Sequence, residues 1–185
     1  MKYVLTLSFL LGLAFQSCHS QDTSKKPSPT RVNISKERSD SLTMHLPSAR
    51  GLINDFLQLF SDNENKMLDS LVSAFERKTT VEISVATVDS MMVKDKDFED
   101  YTLVMLRMWG VGKKDKNNGI LIVISPDLRR MRIQNGYGIE NILSDAETKN
   151  IIDNSFIPKF KEGKYFEGTR DGIIAIINKL KQNGL

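Results

Sequence analysis

The run Gly119-Ile-Leu-Ile-Val-Ile-Ser125 most narrows what this chain can fold into. A strand that is apolar at nearly every position has to be covered on both faces, so helices are needed above and below the sheet that contains it. The flanking sequence supplies them. Ser61-Asp62-Asn63-Glu64 is a capping box, and Met67, Leu68, Leu71, Val72 and Phe75 follow at helical spacing. Residues 81–88 alternate, are rich in β-branched side chains and read as a second strand. Over 97–109, Tyr101, Val104, Met105 and Met108 fall on one helical face, which stops at Gly110. Pro126-Asp127 turns the chain into 129–134, where Arg130 and Arg132 alternate with Met131 and Ile133, as in a strand with one solvated face. A short helix follows Gly138. Ser144-Asp145-Ala146-Glu147 is a second capping box and opens a helix predicted to run to Phe156, ahead of Pro158. The last helix, 165–181, carries Ile173, Ile174, Ile176, Ile177 and Leu180; Arg170, Asp171 and Lys179 interrupt it, which makes it a core helix rather than a membrane span. The predicted architecture is α/β: one compact domain over 50–185 with a small mixed sheet of about four strands and helices on both faces.

Ahead of that domain the sequence changes character. Lys2 precedes an apolar run, Val4 to Phe15, with the layout of an export signal over 1–17. The run falls short of the roughly 20 residues that a spanning helix needs. Cys18, the only cysteine of the chain, follows it directly with Ser17 before it. This resembles the lipobox of bacterial lipoproteins, in which the thiol is acylated and becomes the new N-terminus; ordinary signal cleavage is the alternative. Lipidation at Cys18 would anchor the chain to the envelope membrane, because two or three acyl chains hold firmly where one is marginal. Residues 18–49 then read as a disordered tether, rich in Ser, Thr, Lys, Asp and Pro, with Val32, Ile34, Leu42, Met44 and Leu46 too scattered to bury.

Both histidines, His19 and His45, fall in that tether, so 50–185 holds neither histidine nor cysteine. Ser-His-Asp and Cys-His catalysis, nitrogen- or sulfur-ligated zinc and haem ligation are therefore excluded from the domain. What remains is chemistry on carboxylates, hydroxyls, Lys and Arg, or on a hard cation held by oxygen. The formal charge of +3 is spread among 26 basic and 23 acidic residues, with Arg129, Arg130 and Arg132 as the one basic cluster, and no nucleic-acid face is expected. Gly136-Tyr137-Gly138 has Asn141 where a dinucleotide fingerprint needs its third glycine, and reads as a tight turn. The acids from Asp95 to Asp100 read as a helix N-terminus.

In order and spacing, a set of segments resembles the TPM-domain family. It comprises Asn54-Asp55-Phe56 ahead of a helix, the strand at Val81, Trp109-Gly110-Val111-Gly112 and Asn118-Gly119-Ile120-Leu121. Arg132-Ile133-Gln134-Asn135-Gly136-Tyr137-Gly138-Ile139-Glu140, Asp145 and Ile157-Pro158-Lys159-Phe160-Lys161-Glu162-Gly163-Lys164-Tyr165 complete it. The resemblance implies a sheet flanked by helices, a place outside the cytoplasm and, as in some members, a divalent-cation site and weak acid phosphatase activity. Bacterial members often carry a C-terminal membrane helix, for which a lipid on Cys18 would substitute.

Asp55, Asn118, Glu140 and Asp145 match the polar positions of that pattern and form the candidate metal set, suited to Ca²⁺ or Mg²⁺. Asn118 stands where an aspartate is usual, which removes one negative charge from the set. Each also has a structural reading: Asp55 as a turn terminator, Asn118-Gly119 as a turn dipeptide, Asp145 as a first-turn acid. Two functions remain open. One is a lipid-tethered extracytoplasmic factor that binds an envelope protein and supports a membrane complex. The other is a metal-dependent phosphomonoesterase in which Arg132 or Lys113 would bind phosphate; no nucleophile with an activating base is evident for it.

Overall fold

The computed structural model describes residues 34–185; the expected signal peptide, Cys18 and the first half of the expected tether lie outside the described residues. A four-stranded sheet, in the order β1 (Ile53–Asp55), β2 (Glu82–Thr87), β3 (Gly119–Ser125), β4 (Arg130–Asn135), forms the centre. The first three strands are parallel and β4 runs antiparallel to β3. All seven residues of β3 are buried, as its composition demands.

Helices cover both faces. Capped at both ends, α2 (Asp62–Thr79) carries the full Ser61/Glu64 capping box and ends on Thr80 in the left-handed region. It packs Leu68, Val72 and Phe75 with Ile83, Val85, Ile120 and Ile122 on one face, joined there by Ile173, Ile176 and Leu180 of α7 (Tyr165–Gln182). On the other face, α3 (Phe98–Trp109) sets Phe98, Tyr101 and Met105 against Ala86, Leu121 and Val123. Met108, expected on that face, is instead 58% exposed. Both crossovers advance the same way across the sheet, β1 to β2 to β3, yet place α2 and α3 on opposite faces. One of the two therefore has the uncommon left-handed sense.

Three expectations need correction. The tether does not stay unstructured to residue 49. Lys36–Thr43 forms a helix, α1, capped by Ser35, and it docks on α3. Arg38 holds it there, with Nε on Asp100 Oδ2 at 2.5 Å and Nη2 on Asp97 Oδ1 at 3.1 Å. Leu42 and Leu46 pack against the α3 cluster, and Trp109 Nε1 donates to the Pro47 carbonyl at 2.8 Å. Leu42 on the helix and Leu46 just beyond it thus share one apolar partner, whereas Met44 between them stays exposed. An Arg38→Ala variant should speed amide exchange over 36–43 by roughly fivefold, the effect of losing about 1 kcal/mol of partly exposed ion pairs, while α7 stays protected. Unchanged exchange would mean that the leucine contacts hold α1 alone.

The second correction concerns Pro158, which does not stop the helix before it. The segment continues as α5 (Asp145–Ile151), one π-helical turn over Ile152–Phe156, and α6 (Ile157–Lys161). Proline has no N–H to give the Asn154 carbonyl; the wider turn, in which Ile157 N bonds the Ile152 carbonyl, absorbs that defect. It also seats Phe156, fully buried, against Gly172, where any Cβ would lie 2.0 Å from the ring. Third, residues 53–55 are a strand, which the sequence reading did not place.

Candidate functional site

The N-terminal end of β3 is assembled from three chain segments in backbone contact. The loop over 112–118 arrives with Gly112 and Asn117 in the left-handed region, φ 98° and 48°. Asn118 locks it: its Oδ1 accepts from Lys113 N at 2.9 Å and its Nδ2 donates to the Thr80 carbonyl at 2.8 Å. The turn after β4 is pressed against this loop. Gly138 N donates to the Asn117 carbonyl at 2.9 Å and Gly136 N to that of Gly119 at 2.8 Å. A Cβ on Gly138 would lie 2.1 Å from the Lys116 carbonyl, and one on Gly136 2.3 Å from that of Asn117. The glycines of Gly136-Tyr137-Gly138 thus serve close backbone approach, in keeping with a tight turn rather than a phosphate cradle.

From this platform α4 (Tyr137–Glu140) and the start of α5 each present a carboxylate. Burial, and secondarily the charge of Asp145, push the Glu140 carboxyl above its ordinary value of 4.5. The like-charged pair has no basic partner among the described residues. Its position is fixed from behind: Asn135 Nδ2 donates to Thr148 Oγ1 at 3.0 Å, Ser144 and Glu147 close the capping box, and Asn183 Nδ2 donates to the Ile142 carbonyl at 2.6 Å.

Of the four candidate ligands, Glu140 and Asp145 come together, and Asn118 lies at the same end with its amide already committed to the loop. Asp55 is elsewhere. It pairs with Thr87 at the C-terminal end of the parallel strands, six residues up the sheet from Asn118, or roughly 20 Å at about 3.3 Å per residue. Its carboxylate accepts from Leu59 N at 3.0 Å, Phe60 N at 2.8 Å and Thr87 Oγ1 at 2.7 Å, so it closes the turn into α2. The two candidate phosphate ligands are also committed. Arg132 lies opposite Val123 on the α3 face, with Nε 3.0 Å from Glu99 Oε2 but not aligned for a hydrogen bond. Lys113 Nζ sits 2.5 Å from Glu76 and 3.7 Å from Glu82, and the Glu76 hydrogen bond raises its pKa.

A group of three or more acidic, histidine or cysteine side chains able to hold a metal is absent among the described residues. The oxygen donors at this end are the carboxylates of Glu140 and Asp145, and oxygen is the donor type that a hard cation takes. What the sequence reading missed is Asn117, which shapes the loop through its backbone; its signal was the Asn-Asn-Gly sequence, since asparagine tolerates the left-handed region.

This architecture recurs in solved structures. The N-terminal domain of a Porphyromonas gingivalis protein is 36% identical, superposes with a TM-score of 0.64, and matches over 71% of this chain and 82% of its own. The BA42 protein of the psychrophile Bizionia argentinensis shares the fold at 21% identity, with a TM-score of 0.60 over 69% of this chain and 86% of that one. The N-terminal domain of a Corynebacterium glutamicum protein does so at 14% identity, with a TM-score of 0.52 over 70% and 79%. No curated protein matches the chain. The family model for the TPM domain matches residues 53–179, which take in every element from β1 into α7, and the chain belongs to that family.

Proposed function

We propose that this domain is a binding module held at the cell envelope by a lipid on Cys18. In this reading Glu140 and Asp145 take a divalent cation, and the cation shapes the surface that an envelope protein partner meets. The observation that carries it is the acid pair itself: two carboxylates on a rigid platform, one of them with its pKa raised by burial and by the other's charge, and neither paired to a base among the described residues. Repulsion of this kind is what a bound cation relieves. Calcium suits the irregular oxygen set better than magnesium, which demands a near-octahedral shell. The tether is supported by the sequence around Cys18 alone. Phosphomonoesterase chemistry is the weaker reading, since Arg132 and Lys113 are each held by glutamates, and the Ser144 hydroxyl next to Asp145 donates to Glu147, whose carboxyl the Ser144 N–H holds down at about 2, too weak a base to activate it.

The test is thermal unfolding with calcium or chelator. A carboxylate whose pKa is raised on folding binds more protons in the native state, so native stability falls as pH rises from 4.5 through the raised value. In chelator, Glu140→Gln should remove that fall and raise the midpoint at pH 7. With a hundredfold excess of Ca²⁺ over Kd, the natural chain should gain roughly 5–10 °C, and Glu140→Gln with Asp145→Asn should gain nothing. An equal calcium shift in that double variant, or none in the natural chain, would remove the cation from the proposal.

A further inference from the structure

The opposite end of the sheet carries a feature that the acid pair does not explain. A cleft of about 490 Å³ opens between the β3–β4 turn and the corner joining α6 to α7. Met131, Phe160 and Tyr165 wall it, with the two rings 5.1 Å apart. Arg129, Arg130 and Lys161 also line it, and no carboxylate does. Of the acids nearest in sequence, Glu167 in the first turn of α7 stays outside the lining, and two others are engaged elsewhere. Asp127 accepts from Ser90 N, Ser125 Oγ and Leu128 N, and its hydrogen bonds, that of Ser90 foremost, hold its carboxyl down at about 2. Glu162 is paired with Lys164. Arg130 is tied to Asp95 and Glu99, whereas Arg129 and Lys161 make no ion pair among the described residues.

Arg129 is held in this place at a cost. Its φ is 52°, in the left-handed region that a glycine or asparagine would occupy with less strain. That conformation closes the β3–β4 turn, where Arg129 N donates to the Pro126 carbonyl at 3.1 Å, and it leaves the residue on the lining of the apolar recess.

We propose that this cleft binds a free amphiphilic carboxylate, with its apolar body against Met131, Phe160 and Tyr165 and its head group between Arg129 and Lys161. A guanidinium offers the paired donors that a carboxylate accepts, and the volume lies in the range of small-molecule sites, about 300–1,000 Å³. A recess walled on two sides suits a free molecule; a bilayer surface would need an exposed face.

The test is decanoate, below its micelle threshold, titrated into the full chain and followed by backbone amide shifts. Saturable shifts should appear at Arg129, Met131, Phe160 and Tyr165. Decanol, which has the same tail without the charge, should bind more weakly by on the order of tenfold, and so should decanoate with Arg129→Ala/Lys161→Ala. Arg129→Gly separates ligand from fold: it relieves the strain, so the thermal midpoint should hold or rise while affinity falls. Equal binding of decanol, shifts mapped outside the cleft, or unchanged affinity in these variants would overturn the proposal. Binding to phosphatidylglycerol vesicles with no response to decanoate would overturn it as well, because the cations would then be acting as surface charge.

Discussion

Gly119→Ala should take away a large part of the chain's stability. Its Cβ would be built 2.0 Å from the Val111 carbonyl oxygen and 2.4 Å from the carbonyl carbon. Both are backbone atoms, so no rotamer change relieves the clash. Nor can β3 shift, because it is hydrogen-bonded on both sides, with Glu82 opposite Gly119 and Gly136 N on the Gly119 carbonyl. Separating the 111–112 segment from β3 would also release Asn118 and the turn at Gly136. We expect a loss of at least about 4 kcal/mol, a large part of the 5–15 kcal/mol that a domain of this size commands. Urea unfolding measures it. Gly163→Ala is the control: φ there is 75°, but nothing lies within 4 Å, so only the left-handed strain of about 1 kcal/mol is paid. A Gly119→Ala midpoint close to the natural one would show that the 111–119 contact is looser than described.

Asp55→Ala should cost about 3 kcal/mol and leave the calcium response intact. Removal of the carboxylate strands Leu59 N, Phe60 N and the buried Thr87 hydroxyl, each worth about 1 kcal/mol or more when left unpaired. Chemical denaturation checks the first part and a calcium titration of the folded fraction the second. If Asp55 were a cation ligand, the stability loss would be small in chelator and appear when calcium is present. Here the same loss is expected in chelator and in calcium.

These two residues also show where sequence reading stops. The apolar run 119–125 and the capping boxes at Ser61 and Ser144 are local signals, and they delivered β3, α2 and the start of α5 with little error. Three residues of β1 carry no period, so that strand is visible only through its pairing with β2. The docking of 34–49 depends on Arg38 reaching acids about 60 positions away, which no local pattern encodes. The π-helical turn at Ile152–Phe156 inverts the usual meaning of a proline because the partner groove at Gly172 needs Phe156. Glu140 and Asp145 lie on one short stretch after β4, so their sequence spacing alone puts them at one end of the sheet. Asp55 and Asn118 look alike in sequence, as acids or amides flanking strands. They part company because one follows a parallel strand and the other precedes one, and those are opposite ends of the sheet. The Asp55 carboxylate and the Asn118 amide turned out to satisfy backbone groups, as strand-end polar side chains commonly do.

Whether the Glu140 and Asp145 end of the sheet responds to cations, as proposed, is decided most directly by an amide-resolved calcium titration of the full chain. Saturable shifts are expected, confined to 112–118 and 136–147, absent in Glu140→Gln with Asp145→Asn and untouched by Asp55→Asn. Saturable shifts centred on Asp55, or no saturable shift at the acid pair, would contradict the proposal.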